Sequence, residues 1–148
     1  MKPKKPDDYV IIIGCGRLGA NLANTLSEND KSVLVVDKDK SSFRKLAPSF
    51  GGMQLEGDGT DLSVLYDAQI TNASAVIAVT NYDNTNIMAA QIAKEIFHID
   101  TVIARLYDQD CECVYQEFGI DTICPAVLSS KEIDKLLKDT GGLGRAAI

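Results

Sequence analysis

The order of residues 9–37 constrains this chain more than any other feature. An apolar run rich in β-branched residues, Tyr9-Val10-Ile11-Ile12-Ile13, leads straight into Gly14-Cys15-Gly16-Arg17-Leu18-Gly19. An amphipathic stretch to about Asn29 follows, then a second apolar run, Val33-Leu34-Val35-Val36, closed by Asp37. Strand, G-x-G-x-x-G turn, helix, strand and terminal acid together make a dinucleotide-binding βαβ unit, and each part has a mechanical reason. Gly14 permits the tight turn out of the strand. Gly16 lacks the Cβ that would hold a pyrophosphate off the backbone, and Gly19 lets the helix lie close on the sheet. The free N–H groups of the first helical turn would face the phosphates, where the helix dipole favours negative charge. Glycine clusters also build ordinary turns, so the motif gains its weight from context: a strand before it, a helix after it and an acid about 20 residues on.

Asp37 narrows the ligand. A carboxylate at the end of the second strand accepts hydrogen bonds from ribose hydroxyls and repels a 2′-phosphate. NAD(H) or an adenine nucleotide (ATP, ADP or AMP) is therefore favoured over NADP(H). Lys38 directly follows, which weakens the exclusion of NADP(H) without reversing it.

With 148 residues the chain has the length of one domain, enough to bury a core. A net charge of −6 disfavours nucleic acid, because an acidic surface repels phosphate backbones. No apolar run reaches the roughly 18 to 20 residues needed to span a bilayer, and charged residues and prolines precede the first strand, so no signal peptide is expected. A cytoplasmic protein is expected, with Cys15, Cys111, Cys113 and Cys124 as reduced thiols. Cys111-Glu112-Cys113 lacks the paired spacing of a zinc site, and His98 is the single histidine, so no functional metal is expected. Residues 1–8, with Lys2, Lys4 and Lys5, read as a flexible basic tail; residues 141–148 read as a flexible Gly-rich tail.

Beyond Asp37 the pattern predicts helices over 38–48, 61–68, 83–97 and 110–118, and strands over 53–56, 75–79, 101–106 and 121–124. Pro125 is expected to stop the last strand, with Ser129 or Ser130 capping a final helix through Leu137. Six strands alternating with helices imply an α/β domain over residues 9–140. The expected architecture is a Rossmann-like, doubly wound, six-stranded parallel sheet of order 3-2-1-4-5-6. Ligand should bind outside the carboxyl ends of strands one and four, which brings Thr80, Asn81 and Arg105 to the crevice.

Several residues there admit two readings. Asp58, between Gly57 and Gly59, is either an adenine-side contact or a turn residue. Asp83 is expected to cap the following helix, leaving Thr80 and Asn81 to meet a ribose or phosphate. Arg105 interrupts an apolar strand, which needs a paired guanidinium or a ligand; Asp83 and Asp108 are the candidate carboxylates. Arg17 opposes the dipole of the helix it begins, so a phosphate of its own or a neighbouring subunit is the favoured partner, against plain solvation. No Tyr-x-x-x-Lys pair is present and His98 falls at the far end of a helix. Nearly every residue is used by the nucleotide fold, so a binding module is expected and no catalytic residue is assigned.

The segments Ile13-Gly14-Cys15-Gly16-Arg17-Leu18-Gly19, Val36-Asp37, Glu56-Gly57-Asp58, Ala78-Val79-Thr80-Asn81, Ile103-Ala104-Arg105 and Phe118-Gly119-Ile120-Asp121, in this order, resemble RCK N-terminal domains, the TrkA-N or KtrA-like regulators of potassium transport. The resemblance covers roughly residues 8–140. It implies a cytoplasmic subunit, peripheral to the inner face of the cell membrane, that binds NAD(H) or an adenine nucleotide and gates a membrane potassium channel or transporter. It also implies a homodimer that assembles into a larger ring. Because family members often carry a second, C-terminal domain, a companion RCK chain is a further expected partner. By this resemblance Gly14, Gly16 and Gly19 form the phosphate loop, Asp37 is the ribose acid, Asp58 lies on the adenine side, and Arg17 reaches a terminal phosphate across the dimer. Arg105 matches the family pattern. The full expected cofactor-binding set is Gly14, Cys15, Gly16, Arg17, Leu18, Gly19, Asp37, Lys38, Gly57, Asp58, Thr80, Asn81 and Arg105. The competing reading is a small NAD-dependent oxidoreductase, or a redox sensor in which the helix N-terminus lowers the pKa of Cys15.

Overall fold

The structure, a computed structural model, describes residues 8–140 apart from Gln109 and Cys111. The expectations for residues 1–7 and 141–148 and for the thiols of Cys111 and Cys113 lie outside the described residues; Asp8, placed in the first tail, is ion-paired with Lys31 at 2.8 Å. Six parallel strands form one sheet in the order β3-β2-β1-β4-β5-β6. They are β1 (Tyr9–Ile13), β2 (Ser32–Asp37), β3 (Met53–Glu56), β4 (Ala75–Ala78), β5 (Thr101–Arg105) and β6 (Asp121–Ile123). The helices are α1 (Arg17–Glu28), α2 (Leu62–Asp67), α3 (Asp83–Gln91), α4 (Glu112–Glu117) and α5 (Pro125–Asp139). The expected doubly wound sheet and its strand order are found.

The central strands are apolar at every position because both faces of a parallel sheet are covered. Alternate side chains then feed two separate cores. Ile11, Ile13, Leu34, Val36, Val76 and Ala78 join Leu65 and Ile70 and the alanines of α3 on one face. Val10, Ile12, Val33 and Val35 join Ala20, Ala23, Phe43 and Leu46 on the other. Ile11 and Ile12 are both fully buried, each worth about 1.5–3 kcal/mol of transfer free energy. α1 meets the sheet through Gly19, Ala20 and Ala23, small residues that let its backbone approach.

Three elements differ from expectation, each for a local reason. The helix expected over 38–48 is a single 3₁₀ segment, Lys40–Lys45. The Asp39 side chain accepts the Ser41 N–H and starts it tightly, and Pro48 bars its neighbour from continuing in the α region. Pro125, expected to end a strand, instead opens α5 at the first helical position. Its fixed φ suits a helix, and the N–H it lacks would be unpaired there anyway. Ser129 and Ser130 therefore lie inside that helix. The third difference is that α3 ends not in regular α-helix but in a π-helical turn, Ile92–Ile96, where the Ile99 N–H reaches the Ala93 carbonyl. The Lys94 ammonium covers the carbonyls of Ile99 and Asp100. His98 follows, exposed, with φ +53, in the left-handed region.

Among the described residues no helix is long and apolar enough to cross a membrane.

Candidate functional site

β1 and β4 lie side by side at the centre of the sheet, and the chain leaves them toward opposite faces. The strand ends splay there, and a cleft of about 630 Å³ opens. Its floor is Ile13, Gly14, Gly16, Arg17 and Leu18; the β2 side brings Asp37, Lys38, Gly57 and Asp58, and the β4 side Thr80, Asn81 and Arg105. Two members of the expected set, Cys15 and Gly19, do not line the cleft.

The glycine loop is shaped as its motif requires. Gly14 has φ +109 and donates its N–H to the Val36 carbonyl at 2.8 Å. A Cβ there would lie 2.8 Å from the Thr80 nitrogen, so side chains are excluded both by conformation and by space. Around Gly16 a Cβ would meet nothing within 4 Å: this residue faces open cleft. Gly16 is also the N-cap of α1, with no side-chain cap and no acid in the first helical turn. The helix thus presents unsatisfied N–H groups and the positive end of its dipole to the open space, the arrangement that receives an anion. At Gly19 the close approach is to the loop itself: a Cβ would stand 1.9 Å from the Gly14 carbonyl oxygen.

Asp37 does more than face the cleft. Its Oδ2 accepts the Cys15 N–H at 2.7 Å and its Oδ1 accepts the Asp39 N–H at 2.8 Å. The half-buried acid thereby anchors the glycine loop to the end of β2. Each carboxylate oxygen retains a lone pair for a further donor. Next to it, the two readings of Asp58 do not compete. Its Oδ1 accepts the Thr60 N–H and hydroxyl at 2.8 and 2.7 Å, closing a turn, while the residue still lines the cleft. Those Thr60 bonds first, and the Lys38 ammonium second, hold the Asp58 carboxyl below its ordinary pKa. Lys38 lies 3.5 Å from Asp58 Oδ2, so its charge is engaged beside the acids.

Cys15 is where expectation and structure part. Its thiol is fully buried in the apolar layer with Ala20 and Val35. Burial, and then the Asp37 carboxylate, push its pKa up, with Lys45 only partly offsetting them. Desolvation outweighs the helix dipole that the sequence suggested. Its contribution to the site is its backbone N–H.

On the other wall, Asp83 does not cap α3; Tyr82 holds the N-cap position without a side-chain bond. The Asp83 carboxylate instead accepts the N–H groups of Tyr107 and Asp108 at 2.9 to 3.1 Å and pins the loop after β5. With Asp83 so used, Arg105 pairs with neither expected acid. Its Nη2 donates to the Tyr107 hydroxyl at 2.6 Å, and the guanidinium stacks 4.7 Å from the centre of that ring. Its buried Nε has no partner. Arg17 is exposed at the start of α1, and both arginines also border a second groove beneath α5. Asn81 is exposed and Thr80 half-buried.

Sequence reasoning passed over Ser42 and Lys45, which the 3₁₀ turn swings to the cleft, and Tyr82 and Thr85 at the start of α3. It also passed over Asn86, the one buried polar residue among the described residues. A signal existed: Asn86 shares a helical face with Ala89, Ala90 and Ala93, all fully buried.

The family profile of the TrkA-N domain matches residues 10–125, and the chain belongs to that family. It is 40% identical over 133 residues to the Trk system potassium uptake protein TrkA of Streptomyces coelicolor, covering 90% of this chain and 60% of that protein. The chain thus spans about 60% of that relative's length. Among solved structures it is similar in fold to GsuK bound to ADP (TM-score 0.75, 24% identity, 93% of this chain and 35% of that one). A second is the GsuK channel bound to NAD (TM-score 0.67, 17% identity, 82% and 22%). The resemblance read from the sequence is borne out at the level of family and fold.

Proposed function

We propose that this chain is a nucleotide-binding regulatory subunit of a potassium uptake system. In this reading NAD(H) or an adenine nucleotide lies in the cleft, its phosphates at Gly14, Gly16 and the start of α1 and a ribose at Asp37. Asp58 and Lys38 border the adenine side, and Leu18, Gly57, Thr80, Asn81 and Arg105 complete the walls. Cys15 and Gly19 act from behind, one through its N–H to Asp37 and the other by permitting the tight loop. The observation that carries the reading is the uncapped N-terminus of α1 facing open space at Gly16, walled by a ribose-ready acid. Supporting it, the relative is a potassium uptake protein and the two GsuK structures hold ADP and NAD.

Regulation then follows as a population shift. The chain pairs with a second copy, and the pairs assemble into a ring on the cytoplasmic face of a membrane potassium channel or transporter. Arg17, exposed and without a partner among the described residues, reaches a terminal phosphate across the pair. A nucleotide changes the gate only by binding the two ring states with different affinity; about 1.4 kcal/mol of difference shifts the equilibrium tenfold. An enzymatic or redox role for Cys15 is disfavoured by the burial and raised pKa of its thiol.

The test is thermal unfolding of the purified chain with NAD⁺, NADH, NADPH, AMP, ADP and ATP, on wild type and Asp37→Asn. Ligand at one hundred times its Kd should stabilise by about 2.7 kcal/mol. A shift with NAD(H) or adenine nucleotides that Asp37→Asn cuts to about half or less upholds the site and names its signal. No shift with any nucleotide overturns it.

A further inference from the structure

Asn86 is fully buried in the second turn of α3, in a row of alanines. A primary amide in such a place costs several kcal/mol unless its hydrogen bonds are met. All four are. Its Oδ1 accepts the Thr80 N–H at 2.8 Å and the Thr80 hydroxyl at 2.6 Å. Its Nδ2 donates to the Thr80 carbonyl and to the Arg105 carbonyl, each at 3.0 Å. The location explains the demand. The β4–β5 ladder runs through Ala78 and Ala104 and ends there, because the strands part to form the cleft. Three backbone groups just past that end, the Thr80 N–H and carbonyl and the Arg105 carbonyl, have no strand partner there. One side chain takes the place of the missing rungs.

That side chain also joins two places of different purpose. Thr80 belongs to the wall of the nucleotide cleft. Arg105 stands between that cleft and the second groove, of about 300 Å³, bounded by Ile123, Pro125 and Leu128. From Arg105 the connection continues to Tyr107, which Asp83 holds. α5, which forms the far side of the groove, buries none of its residues and exposes Leu128, Ile133, Leu136 and Leu137. Few contacts hold it, so its local stability is open to adjustment from the groove.

We infer that Asn86 is a positioning residue that couples nucleotide occupancy at Thr80 to Arg105, and through Arg105 to the groove beneath α5. This rests on the nucleotide reading of the cleft, and it names the route by which occupancy leaves the site. A ligand that orders the Thr80 backbone orders the Asn86 amide, which holds the Arg105 carbonyl and with it the end of β5. The isosteric Asn86→Asp keeps both acceptor bonds and turns both donor bonds into repulsions between oxygens.

The experiment is amide hydrogen exchange of the full chain with and without saturating ADP, and separately NAD⁺, in wild type, Asn86→Asp and Asn86→Ser. In wild type, nucleotide should slow exchange in the glycine loop, over 105–108 and over 123–129, by roughly fivefold or more. In Asn86→Asp the protection of the glycine loop should persist while that over 105–108 and 123–129 falls below about twofold. A merely structural role would lower the unfolding temperature but leave the pattern of ligand-induced protection unchanged. Should Asn86→Asp fail to fold, Asn86→Ser decides, since it lacks the reach to the Arg105 carbonyl and adds no charge; it should weaken the distal protection while that of the glycine loop persists. Undiminished protection over 105–108 in the folded variants overturns the coupling and leaves the nucleotide site standing. Absence of protection anywhere in wild type overturns both.

Discussion

On the β2 side of the cleft, acids at the strand ends pin the loops directly: Asp37 takes the N–H groups of Cys15, 22 residues before it, and of Asp39, and Asp58 takes the N–H and hydroxyl of Thr60. On the β4 side the anchor comes from outside both strands: among the described residues, Thr80 and Arg105 are joined through the side chain of Asn86, on the helix that packs against them. The first wall needs only the glycine loop and the ends of β2 and β3 to be in place. The second depends on the packing of α3 against the parted strands. A cleft with one wall pinned directly and the other tied through a single amide can report occupancy in one direction, toward the groove and α5.

The contrast can be broken at either wall. The largest effect is expected at Gly19, where any side chain collides with the Gly14 carbonyl. Gly19→Ala should cost about 4 kcal/mol or more, measured by urea denaturation, and a loss under about 1 kcal/mol would show that the loop can yield. Next is Asn86→Leu, which takes the amide away from three backbone groups, the Thr80 N–H and carbonyl and the Arg105 carbonyl, and sets an apolar side chain beside them; about 3 kcal/mol should be lost. If that variant is as stable as wild type, the β4 wall does not need its amide. Asp37→Asn sharpens the distinction. It retains an acceptor for one loop N–H and removes the charge, so stability should fall by about 1 kcal/mol while nucleotide affinity, by titration calorimetry, falls ten- to a hundredfold.

The thermodynamic environment of Cys15 predicts chemistry. In the native protein iodoacetamide at pH 8 should leave Cys15 unmodified, as peptide mapping would show, with labelling only after denaturation. The smallest effect is that of Asp58. Its folded carboxyl titrates below the ordinary value of about 3.9, so its Thr60 bonds add stability that is present above that value. That stability disappears as pH falls through the lowered folded value. The difference between wild type and Asp58→Asn should thus be about 0.5 kcal/mol or less at pH 7, the group being partly exposed, and should close below about pH 4.

Much of this was legible because it is periodic or local. Continuous apolar runs at β1, β2 and β4 declare strands buried on both faces, and one G-x-G-x-x-G between two of them sets the first crossover, from which the strand order follows by handedness. The positions of Gly14, Gly16 and Asp37 in the cleft follow from the same string. What failed was competition between short-range rules. Pro125 obeyed the helix-start preference rather than the strand-stop preference, and Asp83, well placed in sequence to cap its own helix, was claimed by two N–H groups from a loop more than 20 residues on.

By itself, then, the sequence determined the sheet, the glycine turn, the acid at its edge and the family, since each is written in neighbouring residues whose spacing matches a single backbone geometry. Only the tertiary structure decided the protonation chemistry of Cys15, the partner of Arg105 and the place of Asn86. Those depend on what surrounds a group in space. Burial reversed the expected direction of the thiol pKa, a prior claim on Asp83 left Arg105 to Tyr107, and the gap between parting strands created a demand for hydrogen bonds that one distant amide fills.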